Sequence, residues 1–159
     1  MENTKTINET KTIFRKNKTT RAVTTLITST KEKKSYIYEA HPNKINFIDN
    51  QKNYQSCTMH YEGKEMKKLQ TGTLEGTKKR LKYLEETLKK TKKMTTKKAK
   101  EILRNTKEGT KRTKSGGVSI TNNGTFQSLI FIPEKDKIYY SNGQKVPVSI
   151  TGEYKEIKF

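Results

Sequence analysis

The run RAVTTLITSTKEKKSYIYEAHPNKINFIDNQKNYQSCTMH, residues 21–60, decides the fold class. Arg21–Ser29 is rich in β-branched residues, which suit a pleated, half-buried surface, so it reads as a strand. Thr30–Lys34 is polar and reads as a hairpin tip, and Ser35–Ala40 as the returning strand. His41-Pro42-Asn43 is a turn, because proline presets φ and asparagine tolerates the left-handed region. Lys44–Asp49 is a third strand with Ile45 and Phe47 on one face. A second turn at Asp49–Asn53 leads into a fourth strand, Tyr54–His60. Four short strands with tight turns predict an antiparallel meander.

Upstream, residues 1–20 are polar, with Ile7, Ile13 and Phe14 as apolar anchors, and read as a tail or the remnant of a helix. Downstream the period changes. Leu74, Leu81, Leu84 and Leu88 recur at steps of seven, three and four, which puts them on one helical stripe running to about residue 93. Glu85 with Lys89, and Glu86 with Lys90, are i,i+4 pairs in the favourable order. Thr95 or Thr96 can cap a following helix through Ala99, Ile102 and Leu103 that ends near Gly109. Residues 64–109 are therefore a helical hairpin, apolar inside and lysine outside.

After a glycine-containing loop over residues 107–117, strands return across 117–159. Thr125–Ile132 is the most apolar segment and reads as a central strand buried on both faces. Lys137–Tyr140 is its hairpin partner, Asn142-Gly143 a strong turn signal, and Val146–Ile150 and Tyr154–Phe159 are edge pieces, the first suited to an edge by Pro147. The order of strands, two helices and strands predicts an α+β class: residues 21–159 as one domain, with a mostly antiparallel sheet and a two-helix layer on one face. Such a sheet leaves its other face to be covered by a partner sheet, from another segment or another chain.

Composition narrows the function classes. The 159 residues carry 35 Lys or Arg against 16 Asp or Glu, a formal charge of +19. Residues 64–114 alone hold 19 basic and 6 acidic side chains. A basic block of this kind attracts polyanions by counterion release, with nucleic acid the obvious candidate. Lys78, Lys79, Arg80, Lys89, Lys90, Lys97 and Lys98 are the residues expected to contact it. The competing reading is a compositional bias, since the chain also has 24 Thr and 11 Asn, and only 5 of its basic residues are Arg, the better bidentate reader of phosphate and guanine. With Tyr83 as the one aromatic amid the basic run, any binding would be without base preference. No run of about 18 apolar residues exists to span a membrane. The polar start lacks the apolar core of a signal peptide, and the single Cys excludes an intrachain disulfide, so a reducing, cytoplasmic setting is expected.

Few residues carry chemistry. Cys57 is the only thiol, and a lone Cys in a strand is commonly a small buried packing residue. His60, three residues on, points to the opposite face of a regular strand, so a Cys57–His60 dyad needs a bulge. Two His give no metal-ligand pattern, Glu39 and Glu62 have no carboxylate partner at a telling spacing, and Gly116-Gly117 lacks the strand–glycine–helix order of a phosphate loop. No cofactor is expected.

Several segments, taken in order, resemble the C-terminal part of the penicillin acyltransferase and carcinine hydrolase-like family of N-terminal-nucleophile hydrolases. These are Glu39-Ala40-His41-Pro42, Cys57-Thr58-Met59-His60, Arg80-Leu81-Lys82-Tyr83-Leu84, Met94-Thr95 through Ile102-Leu103, and Ser128–Pro133. The resemblance spans about residues 21–143. It implies part of an αββα sandwich and an amidohydrolase or acyltransferase acting on small N-acyl or amide compounds. The family's nucleophile is a Cys at the start of a catalytic chain, whose own α-amine serves as base. That Cys lies upstream of the matched region, so this chain is expected to be a truncated or degenerate relative, inactive alone and needing a second chain that carries the Cys. Thr24 falls where the family has an Asn, and Met59 where it has another; a thioether cannot donate to an oxyanion. Cys57, His60 and Thr24 are the candidate catalytic positions.

Overall fold

The computed structural model describes residues 4–17, 19–72, 74–106, 119–122, 124–135, 137–143 and 145–158. They divide into two compact units, Met1–Leu74 and Glu75–Phe159. The class is α+β and the strand pairing antiparallel, as expected. The strands form two three-stranded sheets, one in each unit, where one sheet was expected.

In the first unit, Ile7–Lys16 form a capped helix, α1, so of the two alternatives for the polar start the helical one is observed. Thr6 accepts the Glu9 N–H at 3.2 Å, and Ile7 and Thr10 are buried three residues apart on one face. Phe14 continues that face and stacks on Tyr38 with ring centroids 4.4 Å apart. The strands β1 (Val23–Ser29), β2 (Lys34–His41) and β3 (Lys44–Asp49) pair in sequence order. Ile27, Tyr38 and Ala40 make the core on the face toward α1, with Ile45 and Phe47 packed against them. At the first hairpin tip Lys33 takes a φ of +49°, a region more usual for glycine. Pro42 and Asn43 alone connect β2 to β3.

The expected fourth strand is absent: residues 54–60 make no ladder with β3. Neither alternate set, Tyr54-Ser56-Thr58 or Gln55-Cys57-Met59, offers the apolar face that pays for strand pairing, and polar side chains anchor the segment instead. Gln55 Nε2 donates to the Ile48 carbonyl at 3.1 Å, and the Tyr61 hydroxyl donates to the Ala40 carbonyl at 2.5 Å. The short helix α2 (Lys64–Lys67) follows, with Met66 fully buried.

In the second unit, α3 (Glu75–Lys90) and α4 (Thr96–Leu103) form the two expected helices. Thr95 is the cap, accepting the Lys98 N–H at 3.1 Å. Leu81 and Ile102 are buried, and Asn105 Nδ2 donates to the Tyr83 hydroxyl at 2.9 Å. The expected pairs of Glu85 with Lys89 and Glu86 with Lys90 are replaced among the described residues by Glu75–Lys79 at 2.6 Å and Lys82–Glu86 at 4.0 Å. Exposed partners are held too weakly for sequence spacing to choose between them. α4 ends at Leu103 with Arg104 as its C-cap, short of the expected end near Gly109, and the expected loop over residues 107–117 lies outside the described residues.

The second sheet runs in the order β4 (Ser128–Ile132), β5 (Lys137–Ser141), β6 (Lys155–Lys158). β4 is thus an outer strand, where a central one was expected. Ser128 and Ile130 are buried while Leu129 and Phe131 are 55% and 50% exposed, so one face only is covered. The Asn142-Gly143 signal does not produce a tight hairpin, and Val146–Ile150 is not an edge strand. A short helix, α5 (Val148–Thr151), intervenes with Pro147 at its N-cap. It is held by burial of Val148 and by bonds from the Val148 N–H to the Thr125 carbonyl (3.0 Å) and from Ser141 Oγ to the Val148 carbonyl (2.9 Å). Tyr154 follows, its hydroxyl 2.6 Å from Ser128 Oγ, and β6 then pairs with β5.

Candidate functional site

The polar centre of the first unit grows out of one row across the sheet. Thr24, Glu39 and Asn46 are register partners on β1, β2 and β3, so their side chains share a face, the one opposite Tyr38 and Ala40. Glu39 is completely buried. A carboxylate that deep needs donors on its oxygens, and three reach it. Asn46 Nδ2 donates at 3.0 Å, the Gly63 N–H donates at 3.1 Å, and the Glu62 N–H makes a short bond to Oε1. Glu39 therefore clamps the irregular segment onto the sheet. Gly63 is required by that approach: a Cβ there would come within 2.6 Å of Glu39 Oε2 and would overlap the Asn46 amide. Thr24 Oγ1, in the same row, is shielded from solvent with no hydrogen-bond partner.

Around this clamp lie the other sequence candidates. Cys57 is half-buried in irregular backbone, not in a strand. Burial pushes its thiol above the ordinary value, and the Glu39 carboxylate adds to the rise. Both effects disfavour the thiolate, the reverse of what activates a nucleophilic cysteine. His60 is buried and bridges two neighbours. Glu62 Oε1 lies 2.7 Å from Nε2, and Thr58 Oγ1 lies 2.8 Å from Nδ1. In the neutral ring the carboxylate accepts from Nε2–H, which leaves Nδ1 to accept from the Thr58 hydroxyl. Both nitrogens are thus engaged along the segment itself, so a Cys57–His60 dyad is not what the imidazole serves. The hydroxyl–imidazole–carboxylate chain orders residues 58–62, and Glu39 fixes its far end.

Glu39 and Glu62 looked uninformative by spacing, yet they organise this centre. The available signal was a charged residue inside an otherwise apolar strand, Tyr-Ile-Tyr-Glu-Ala, together with a Glu-Gly pair downstream. Asn46 and Thr58 carried no signal beyond their polarity. Among the described residues no cluster of three or more His, Cys, Asp or Glu could hold a metal ion, and no helix is long and apolar enough to cross a membrane.

The basic positions lie in the second unit. Lys78, Lys79, Arg80, Lys89 and Lys90 are on α3; Lys97 and Lys98 are on α4. They do not act as one group. Lys79 is paired with Glu75, and Lys98 with Glu101 at 3.1 Å. Lys90, Lys97 and Lys98 converge with Lys93, which the sequence did not single out, on an open cleft of about 610 Å³ where α3 ends and α4 begins.

Searches of protein-family models, curated proteins and solved structures find no match to this chain.

Proposed function

We propose that the chain contributes part of the layered body of an N-terminal-nucleophile amidohydrolase or acyltransferase acting on small N-acyl or amide compounds, and that its own thiol is not the nucleophile. One observation supports this reading above the others. Glu39-Ala40, one of the pieces that carry the family resemblance, is joined by the buried carboxylate of Glu39 and by the bond from Tyr61 to Ala40 to residues 61–63, which directly follow another of those pieces, Cys57–His60. In the complete reaction a thiolate attacks an amide or thioester carbonyl, the amine or thiol leaves with a proton, and water or a second amine resolves the acyl-enzyme. Cys57 is unsuited to the first step because burial and Glu39 hold it protonated. The second chain of the proposal supplies the attacking sulfur.

The test is incubation of the purified chain with p-nitroanilide and thioester substrates and a thiol-directed acylating probe, followed by mass spectrometry of the Cys57 peptide. The expected result is no turnover and no acyl-Cys57, with turnover appearing when a chain that begins with Cys, encoded immediately upstream, is added. Acylation of Cys57 accompanied by turnover would overturn the proposal.

A further inference from the structure

We infer that the cleft between the end of α3 and the start of α4 is a binding site for closely spaced phosphates. This inference does not depend on the hydrolase reading. Four ammonium groups, on Lys90, Lys93, Lys97 and Lys98, line the cleft against one carboxylate, Glu101. Glu101 is committed to Lys98. Lys90, Lys93 and Lys97 have no carboxylate within 4.0 Å among the described residues, although acidic side chains elsewhere on the same helices have found lysine partners. Three uncompensated like charges around one hollow repel one another and are relieved by a ligand that brings several negative charges together. The turn between the helices holds them there: α3 stops at Lys90, and the Thr95 cap starts α4 five residues later. Around that turn Lys90 at the end of α3, Lys93 in the connection, and Lys97 and Lys98 in the first turn of α4 line one concavity.

The lining also limits what the ligand can be. Among the described residues it contains no aromatic side chain and no arginine. These residues offer neither base stacking nor bidentate guanine readout, so the recognition they provide is of phosphates. A tripolyphosphate-like ion and a nucleic-acid backbone share that chemistry, and the experiment separates them.

The full chain is titrated with tripolyphosphate by calorimetry and with a fluorescein-labelled dT12 by anisotropy, each at 50 and 200 mM salt. Three proteins are compared: the native chain, the triple variant K90Q/K93Q/K97Q, and K31Q/K33Q/K34Q, which removes the same charge from the hairpin tip of the other unit. For three phosphate contacts to single-stranded nucleic acid the affinity should fall about 20-fold between the two salt concentrations. The cleft variant should lose at least tenfold in affinity and most of that salt dependence, while the hairpin variant keeps both. Tripolyphosphate bound with the oligonucleotide excluded assigns the site to compact ions, and binding of both assigns it to phosphates in any setting. Equal losses in the two variants, or no binding of either ligand by native chain at 50 mM salt, would overturn the site. Circular dichroism melts of all three proteins confirm that exposed Lys→Gln changes leave the fold intact.

Discussion

Removing the carboxylate of Glu39 should release the irregular segment from the first sheet. In Glu39→Ala the Glu62 N–H, the Gly63 N–H and the Asn46 amide all lose their acceptor at once. A buried donor left unsatisfied costs about 1–3 kcal/mol. The segment is partly exposed and can take up water as it loosens, so the lower end applies to each donor, and the sum is about 3 kcal/mol. Glu39→Gln keeps one oxygen but turns an amide toward the incoming donors, and should cost about 1–2 kcal/mol. Because the chain has two compact units, a global melt would blend their transitions. Amide hydrogen exchange read residue by residue is the better assay. Loss of about 3 kcal/mol corresponds to a fall in protection of more than about 100-fold at Glu62 and Gly63. The β2 amides should fall less, and those of α3 and α4 not at all. If Glu62 and Gly63 stay as protected in Glu39→Ala as in the native chain, the clamp is not what holds the segment, and the account of the polar centre fails.

Two further outcomes are expected. Cys57 should alkylate with iodoacetamide more slowly in the folded chain than in urea, because burial and then Glu39 raise its thiol. Glu39→Gln should speed the reaction. The unfolded thiol ionises first, near its ordinary value of about 8.5, so stability should fall as pH rises through the interval between the unfolded and folded values. Faster alkylation of the folded chain would contradict this. Phe14→Ala removes one member of the Phe14–Tyr38 stack over the core of the first sheet. Phe14 is only half-buried, so the cost should be about 2–3 kcal/mol, below the full penalty for a core aromatic, seen as lost protection of the β2 amides. A change under about 1 kcal/mol would show that α1 is not needed to close that face.

The elements with a strong period were legible in the sequence. Arg21–Asp49 alternates with tight turns, and the leucine spacing of α3 and the Thr95 cap of α4 are local signals, so those elements begin where expected, although α4 stops at Leu103. Failures came where tertiary contacts outweighed local preference. Residues 54–60 have strand-like composition, but the bond from the Gln55 amide to the Ile48 carbonyl, and those that fix Tyr61 just beyond them to the Ala40 carbonyl and the Gln70 side chain, hold them off the ladder. Val146–Ile150 reads as an edge strand by propensity, yet the burial of Val148 and the Ser141 bond select a helical turn. At the site, Thr24 and Glu39 are fifteen residues apart in sequence and adjacent only through strand register. No spacing rule for catalytic pairs encodes that neighbourhood. Lys93 was overlooked for a related reason: the cleft it lines exists only because two helices end and begin beside it.

The outer position of β4 bears on how the molecules behave in bulk. Leu129 and Phe131 leave about half of their surface to solvent on the strand that ends the order of its sheet. Two copies approaching through that face each carry a formal charge of +19, and like charge opposes the approach. That repulsion reaches about 30 Å in 10 mM electrolyte but only about 3 Å at 1 M. Self-association through the exposed side of β4 should therefore grow as salt is added.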